Sequence, residues 1–450
     1  MKKHRIFLIN ALILLLAGTA NAQVEDVDDP LVKYEDTGKG FKFTAGARLM
    51  ADVANYQTDF TPMKSGGAIT DARIRTSLTY DKLYFFADFG FAGGKFSQKD
   101  IFVRYNFSET EKGTHGIKAG YYNDPATMSR NTSEYDYHFM YRPATVNALA
   151  FGRELGVSYK FYNSSVLLDQ GVFTENEYNK QEAGHQGITL SGRWIYKPLN
   201  DADNTIHIGA SARYGTIRGG EITDDVLTHK QTLESDMQTA VDPTTCFLQA
   251  NLPWASANLN IGAEALWRTD KFFIRGEYIH KTVYKKRPDE KLFINQLGDV
   301  WSWTTLESWR AGNPIKSSNF DGAYVELGYL LKGDKYTYDD EYGLLKGMND
   351  KNSWEIVARY TYTNLNDINK GDVFLIGRQQ FYPNGNISDY PAASTSVGGG
   401  RLWTGSIGLN YTLSQYVKLM GEYQYSNLDN VYYPLDKNFH TFQMKILFSF

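Results

Sequence analysis

Short stretches in which apolar and polar side chains alternate recur along almost the whole chain. Residues 68–80, 83–91, 151–161 and 353–364 each show a clear period of two. Successive side chains of a β-strand point to opposite faces, so this period predicts strands with one apolar and one polar face. The pattern therefore predicts an all-β fold.

Sixteen such strands can be placed, and the connections between them alternate in length. The strands lie near 41–54, 68–80, 83–91, 99–107, 114–122, 151–161, 164–173, 187–197, 204–216, 258–268, 271–281, 320–332, 353–364, 401–413, 416–427 and 440–450. Tight connections such as Asp81-Lys82 alternate with long segments such as 123–150 and 217–257. Short turns on one side and long loops on the other are typical of a transmembrane antiparallel β-barrel. The segment 333–352 is an exception, because it is long where a short turn is expected.

The chain ends on an alternating strand whose last residue is aromatic. Phe442, Met444, Ile446, Phe448 and Phe450 are separated by single residues that are mostly polar. In a soluble protein such a strand would expose an edge that invites aggregation, whereas in a barrel it closes the cylinder. A terminal Phe is the usual signal for the barrel-assembly machinery, and we predict this role for Phe450.

The first residues have the features of a signal peptide for export. A basic start is followed by an apolar stretch over 6–17 and by Ala20-Asn21-Ala22, a small-residue cleavage site. The predicted organisation is a signal peptide over 1–22, a short periplasmic segment over 23–40 and an outer-membrane β-barrel over 41–450. This places the protein in the outer membrane of a Gram-negative cell.

Composition excludes several other classes of protein. The 450 residues have a mean hydropathy of −0.44, and no run of 18 apolar residues follows residue 22, which excludes a bundle of transmembrane helices. The formal net charge of −4 argues against a nucleic-acid partner, because neutralising phosphates requires a basic surface. Cys246 is the single cysteine, so no intrachain disulfide can form. Aromatic residues make up 15% of the chain and cluster near predicted strand ends, as in the girdles that contact membrane lipid.

Seven segments share a pattern with one known family. They are Asp71–Arg75, Gly116–Gly120, Asp321–Asp334, Trp354–Asp367, Gly398–Gly400, Gly408–Tyr411 and Val417–Met420. These segments resemble the phosphate-selective porin O and P family of Gram-negative outer membranes. Arg142 and Arg153 match two Arg positions that the family has around its third loop. The resemblance implies a trimeric barrel of sixteen strands with inward-folded loops and a basic constriction, and it implies that 333–352 is an inward-folded periplasmic turn. The chain departs from the family at Thr70-Asp71, where consecutive arginines are common, and at Tyr141, where a Glu is usual.

The polar faces of the predicted strands identify the charged side chains that line the lumen. The bases are Arg73, Arg75, Arg104, Lys118, Lys160, Arg193, Arg213, Arg275, Arg359, Lys418 and Lys445, and the acids are Asp71, Asp88, Glu154, Glu264, Glu277, Glu326, Glu355 and Glu422. A barrel of this size is too wide for side chains to fill, so it holds an aqueous channel whose selectivity depends on lining charges. The excess of bases predicts a channel for small anions. The same charges could instead pair with one another across the wall.

We predict that the anions pass a basic constriction. The candidate anion-binding residues are Arg73, Arg75, Arg104, Lys118, Arg130, Arg142, Arg153 and Arg359. Guanidinium groups suit phosphate and other oxyanions, because their forked donors match the geometry of such anions. Asp71 is expected to weaken the local positive field.

Three alternatives remain open from the sequence. A secreted β-sandwich or propeller has the same period of two, although no blade-length repeat is present. A general or sugar-permeable porin could use the Tyr and Trp side chains as a stacking track. An outer-membrane hydrolase is the remaining alternative, but the eight His are scattered and no nucleophile or paired-His motif stands out. We expect no catalytic residues, no cofactor and no metal.

Overall fold

The computed structural model describes residues 30–58, 63–175, 181–223, 225–286, 315–368, 396–430 and 433–450, with residue 307 and three short strand segments between 374 and 388. The predicted signal peptide over 1–22 lies outside the described residues. Within this part of the chain, no helix is both long enough and apolar enough to cross a membrane.

Sixteen antiparallel strands form one closed barrel, as the sequence predicts. They are β1 Phe41–Thr58, β2 Gly66–Tyr80, β3 Leu83–Gly90, β4 Ser97–Thr110, β5 Gly113–Asn123, β6 Arg153–Tyr162, β7 Val166–Thr174, β8 Ile188–Asn200, β9 Thr205–Thr216, β10 Ala255–Arg268, β11 Phe272–Lys285, β12 Ser318–Lys332, β13 Ser353–Asp367, β14 Val397–Ser414, β15 Val417–Asn430 and β16 Tyr433–Ser449. Each strand pairs with the next, and β16 pairs with β1 from Arg48↔Ser449 to Thr58↔Phe439. Closure leaves every barrel strand paired on both edges, as a membrane environment requires.

Strand parity separates the two faces of the wall. On β6, Leu155 and Val157 are more than half exposed and point outward, whereas Ser158 and Lys160 are buried inside the barrel. The exposed apolar side chains form the surface that meets lipid, and the polar side chains fill the interior. The alternation predicted from the sequence is therefore confirmed.

Some strands extend further than their apolar pattern. β1 continues to Thr58 although its predicted end is residue 54. Its outward side chains at Asn55 and Gln57 are polar, so the alternation stops while backbone pairing with β16 continues. Pairing by the main chain needs no apolar side chain, which explains the difference.

A seventeenth strand lies at the N-terminal end of the described chain. Val32–Asp36 pairs with the start of β1, from Asp36↔Phe41 to Val32↔Ala45. This is the same edge of β1 that β16 occupies from Arg48 onward. The N-terminal strand and the C-terminal strand therefore follow one another along a single edge.

The third loop, residues 124–152, folds into the barrel. It contains two short helices, Met128–Asn131 and Ala144–Leu149, and a 3-10 turn at Glu134–Asp136. Met128 and Leu149 are fully buried among the apolar residues that line this side of the interior. The loop therefore reduces a wide barrel to a narrower passage.

The fifth loop, residues 217–254, covers the same side of the interior from above. Its hairpin pairs Lys230–Ser235 with Leu248–Pro253. At its tip Thr239 is buried, and its hydroxyl lies 2.6 Å from the hydroxyl of Tyr56 on β1. The tip thus reaches across the barrel to the opposite wall.

The segment 333–352 folds inward from the side of the short turns. It forms a small hairpin between Tyr338–Asp339 and Leu344–Leu345. Tyr336 is fully buried, packs edge-on against Phe273 and donates a 2.7 Å hydrogen bond to Glu355. The segment therefore folds into the barrel, as the family resemblance implies.

Candidate permeation pathway

Three cavities lie in sequence through the barrel interior. The cavity on the long-loop side measures about 550 Å³, the middle one about 190 Å³ and the one on the short-turn side about 730 Å³. Arg130 lines the first and the second, and Asp339 and Lys346 line the second and the third. The shared residues place the cavities next to one another along the barrel, and the middle cavity, which is the smallest of the three, is the candidate constriction.

Positive charge is concentrated at the constriction. Its cationic lining residues are Arg48, Arg73, Arg75, Lys118, Arg130, Arg142, Arg153 and Lys346, and its carboxylates are Asp88, Asp100, Glu134, Asp136 and Asp339. The long-loop cavity has four cationic and four acidic residues, and the short-turn cavity has four and five. Six of the eight residues predicted to bind anions therefore line the smallest of the three cavities, where the lining has three more bases than acids.

Arg48 belongs to the constriction, although sequence reasoning did not single it out. Its side chain is buried on β1 and donates to Asp71 at 2.6 Å and to Glu134. Strand parity could have identified it, because it shares the polar face of β1 with Thr44 and Asp52.

Arg73 and Arg75 lie side by side on β2 but have different partners. Arg73 bonds to Asp71 at 2.8 Å, to Asp88 at 3.0 Å and to Glu134 at 2.6 Å. Arg75 donates to the hydroxyl of Ser449 at 3.0 Å. The positive field of Arg73 is thus largely compensated, as the presence of Asp71 suggested.

Arg130 and Arg142 extend from the third loop. Arg130 donates to the carbonyls of Phe151 and Ala150 at 2.9 and 3.3 Å, and no carboxylate among the described residues forms an ion pair with it. Burial and the nearby charge of Arg142 lower the pKa of Arg130 to about 10, so it remains cationic at neutral pH. Arg142 contacts the carbonyl of Ser129 and lies 4.0 Å from the Glu134 carboxylate.

Lys118 and Arg153 complete the lining. The ammonium of Lys118 lies 3.9 Å from the ring centre of Phe102 and 4.5 Å from that of Tyr122, which is cation–π geometry. Arg153 forms a two-pronged ion pair with Asp100, at 3.1 and 2.8 Å. Their surroundings therefore differ, since Lys118 rests on aromatic rings and Arg153 faces a carboxylate.

Two predicted residues lie away from the constriction. Arg104 lines the cavity on the short-turn side and forms an ion pair with Glu341. Arg359 is buried behind the third loop, where it donates to the carbonyl of Tyr141 at 2.7 Å and lies 3.5 Å from Glu422. Strand parity puts both side chains inside the barrel. It does not give their positions along the barrel axis or the segments that pack over them.

Several polar side chains of the wall hold the third loop, and they include the predicted lumen charges Lys418, Lys445, Glu277 and Glu422. Wall donors and the loop carbonyls that accept their hydrogen bonds are Lys281 and Asn260 with Leu149, Asn410 with His138, Lys418 with Tyr135, and Lys445 with Met140. Glu277 accepts from the N–H groups of Met128 and Ser129 at 2.6 and 2.9 Å, and Glu422 accepts from the N–H of Met140 at 2.9 Å. A hydrogen bond to a charged group contributes about 1.5–3 kcal/mol, so these bonds fix the loop against the wall.

The inward turn is tied to the wall in a similar way. His207 bonds to Glu264 at 2.6 Å and to the hydroxyl of Tyr338 at 3.0 Å. Arg193 forms an ion pair with the same carboxylate and donates to the carbonyls of Tyr342 and Gly343. Among the described residues, no group of three His, Cys, Asp or Glu side chains has the arrangement of a metal site.

The chain is similar to known proteins both in sequence and in fold. A family model described as phosphate-selective porin O and P matches residues 43–450. An uncharacterised protein of Caulobacter vibrioides is 23% identical over 329 residues, which are 67% of this chain, and the chain spans 58% of that relative's length. An anion-selective porin from Comamonas acidovorans has a TM-score of 0.51 at 10% identity, covering 91% of this chain and 100% of that one. OprB of Pseudomonas putida has a TM-score of 0.50 at 10% identity, covering 92% and 95%. At these identities the two structures show a shared fold.

Proposed function

Because this chain belongs to the phosphate-selective porin O and P family, which places it among the porin channels of the outer membrane, we propose that it passes small anions by passive diffusion. The observation that carries the proposal is the excess of three basic residues in the lining of the smallest of the three cavities. Both neighbouring cavities are close to balanced in charge. An anion that follows this path is therefore expected to meet the largest excess of basic lining residues in the smallest cavity.

The physical basis is local electrostatic focusing. A narrow passage lined by one sign of charge and bounded by low-dielectric walls raises the local concentration of the opposite ion. Guanidinium groups add forked donors, which favour carboxylate and phosphate oxygens over simple halides. Phosphate and other small oxyanions are thus the solutes that we propose.

A pair of neutral substitutions tests this proposal. We choose Arg130→Gln with Lys118→Gln, because both residues line the smallest cavity and, within the described part of the chain, the hydrogen bonds of Arg130 go to carbonyls. We expect the anion-to-cation permeability ratio to fall by about threefold or more, since two of three excess charges are removed. The measurement is the reversal potential of the purified protein in planar bilayers under a salt gradient.

The matched control is Lys112→Gln, which removes the same charge from the exposed turn between β4 and β5. It should leave the reversal potential unchanged. If the wild-type channel prefers cations, or if the double variant and the control shift the potential equally, the proposed anion selectivity is wrong. Faster permeation of neutral sugars than of phosphate in liposomes would favour the general porin instead.

We further propose the assembly and export that the family resemblance and the N-terminal sequence imply. The signal peptide over 1–22 is removed during export, the periplasmic segment 23–40 precedes the barrel over 41–450, and Phe450 is read by the barrel-assembly machinery. Three barrels then associate as a homotrimer in contact with outer-membrane lipid.

A further inference from the structure

One carboxylate in the constriction occupies the position where an incoming anion would bind most strongly. Oε2 of Glu134 accepts from Arg48 and, at 2.6 Å, from Arg73. Oε1 lies 4.0 Å from Nη1 of Arg142. Three guanidinium groups from two barrel strands and one loop thus surround a single carboxylate, and we call them the arginine cradle.

The turn that carries Glu134 is held in place by bonds on both sides. The Tyr135 hydroxyl donates to the carbonyl of Gln415 at 2.8 Å, and Asp136 accepts from the N–H of Gly347 at 2.9 Å. Tyr135 is buried, whereas the Glu134 side chain keeps 26% of its surface exposed toward the cavity. The carboxylate therefore stands at the lumen surface on a fixed support.

The cradle does not depend on Glu134 for its own structure. Arg48 also binds Asp71, and Arg73 also binds Asp71 and Asp88. Arg142 also contacts the carbonyl of Ser129. Without the Glu134 charge, the three guanidinium groups would keep their positions and face the cavity with unused donors.

We propose that Glu134 is a built-in competitor that occupies the arginine cradle and sets how tightly the constriction retains a passing oxyanion. The inference rests on the proposed anion channel and adds the residue that determines its affinity. A carboxylate or phosphate ion reaches the cradle by sharing the guanidinium donors with the Glu134 side chain or by displacing it. Conduction requires binding that is strong enough to admit an ion and weak enough to release it. Glu134 weakens the binding of an oxyanion to the cradle, so that the ion can be released.

The electrostatic state of Glu134 supports this role. The charges of Arg73, Arg48 and Arg142 hold its pKa well below the ordinary range, although burial acts in the opposite direction. It is therefore ionised throughout the physiological pH range. An ionised carboxylate at this point repels a second anion while it competes for the same donors.

The test is the neutral, nearly isosteric substitution Glu134→Gln in the full chain. Chloride current is recorded in planar bilayers while inorganic phosphate, and separately acetate, is added. We expect the concentration of either ion that halves the chloride current to fall by about tenfold, because the freed donors form charge-assisted hydrogen bonds. Glu134→Asp keeps the charge on a shorter side chain and should give an intermediate value.

Glu109→Gln is the matched control, since Glu109 lines the cavity on the short-turn side and not the constriction. It removes the same charge from the same channel and should leave the half-blocking concentrations unchanged. Equal half-blocking concentrations in Glu134→Gln and wild type, with heat-modifiable gel migration showing folded barrels, would overturn the inference. Cation preference of the wild-type channel would instead overturn the proposed function, so the two failures are distinguishable.

Discussion

Arg73 and Arg130 line the same cavity, yet their guanidinium groups have very different surroundings. Arg73 has three carboxylate partners, whereas Arg130 is bound to two carbonyls. The residue type and the strand parity are enough to place Arg73 in the lumen. They do not reveal its compensation by Glu134, which comes from a loop 61 residues away. The effective charge of a pore residue therefore depends on contacts that a single sequence does not show.

A second residue-scale prediction concerns Asp236, which we expect to make the selectivity of the channel depend on pH near neutrality. It lines the long-loop cavity, accepts from the N–H of Gln238 at 3.0 Å, and burial raises its pKa to about 7. It is thus mostly neutral at pH 6 and mostly charged at pH 8. We expect the anion-to-cation permeability ratio to fall by about twofold over this range, because a negative charge appears on the approach to the constriction.

Asp236→Asn should remove this dependence. The measurement is the reversal potential at a fixed salt gradient, recorded at several pH values between 6 and 8. A wild-type ratio that is flat over this range would contradict the assignment, and so would a variant that keeps the slope of the wild type.

Among the elements, the strands can be predicted because the alternation of apolar and polar side chains that identifies a strand lies within that strand. Glu355 and Arg359 are buried in the barrel interior, while Ile356 and Tyr360 on the same strand are exposed. A lipid phase outside and an aqueous or polar interior impose this alternation on each strand separately. The structure contains all sixteen strands that the sequence predicts, and β1 continues past its predicted end where its outward face becomes polar.

The loops are less predictable because their positions depend on distant partners. Lys418 and Lys445 were expected to line the pore, but both bind carbonyls of the third loop. The loop segments that accept these bonds show no periodic pattern. The inward fold of 333–352 was implied only by the family resemblance, since its anchors at His207 and Arg193 lie on other strands.

The last strand shows how a terminal element completes the fold. The N–H of Phe450 donates to Ala47 at 2.9 Å, its carbonyl accepts from Ala47 at 3.1 Å, and its ring stacks on Tyr416. We expect deletion of Phe450 to prevent assembly of most of the protein, because the predicted assembly signal is lost together with the two hydrogen bonds that end the seam at Ala47. Heat-modifiable migration of outer-membrane fractions measures this.

Phe448→Ala is the control for that deletion, since it removes an aromatic side chain from the same strand and leaves the chain end intact. It should assemble at close to the wild-type level. Recovery of the truncated protein as a compact barrel in the outer membrane would contradict the role given to Phe450.

At the scale of the whole molecule, values averaged over the chain conceal the polarity of each strand face and the local charge of the lumen. The mean hydropathy of −0.44 reflects strands that are half polar because half of each strand faces the interior. The net charge of −4 coexists with a constriction whose lining is basic. An ion passing through the barrel responds to the local potential, so the total charge is a poor guide to selectivity.

The outer wall carries a groove that suits association of barrels. Val53, Ile407, Phe442 and Met444 line an apolar groove with Gly421, where an added side chain would have open space. Small residues let neighbouring walls approach closely within a membrane. If this groove lies between barrels of the proposed trimer, Gly421→Phe should fill it and lower the trimer fraction several-fold in mild detergent, as measured by light scattering.

Ala265→Phe is the matched control, because Ala265 is exposed on the outer face of β10, away from the groove. It adds a large apolar side chain to the lipid-facing surface and should leave the oligomer intact. An unchanged trimer in Gly421→Phe would show that the groove faces lipid.

The contacts that attach the third loop to the wall determine which substitutions can change the solute preference of the channel. Lys281, Lys418 and Lys445 bind carbonyl oxygens, which every residue type possesses. Glu277 binds N–H groups, which every residue type except proline possesses. Substitutions in the loop can therefore alter the groups presented to a solute without detaching the loop. The barrel acts as a reusable frame in which a few exchanges, such as those at Arg130, Glu134 and Arg142, can produce a new solute preference while the fold is kept.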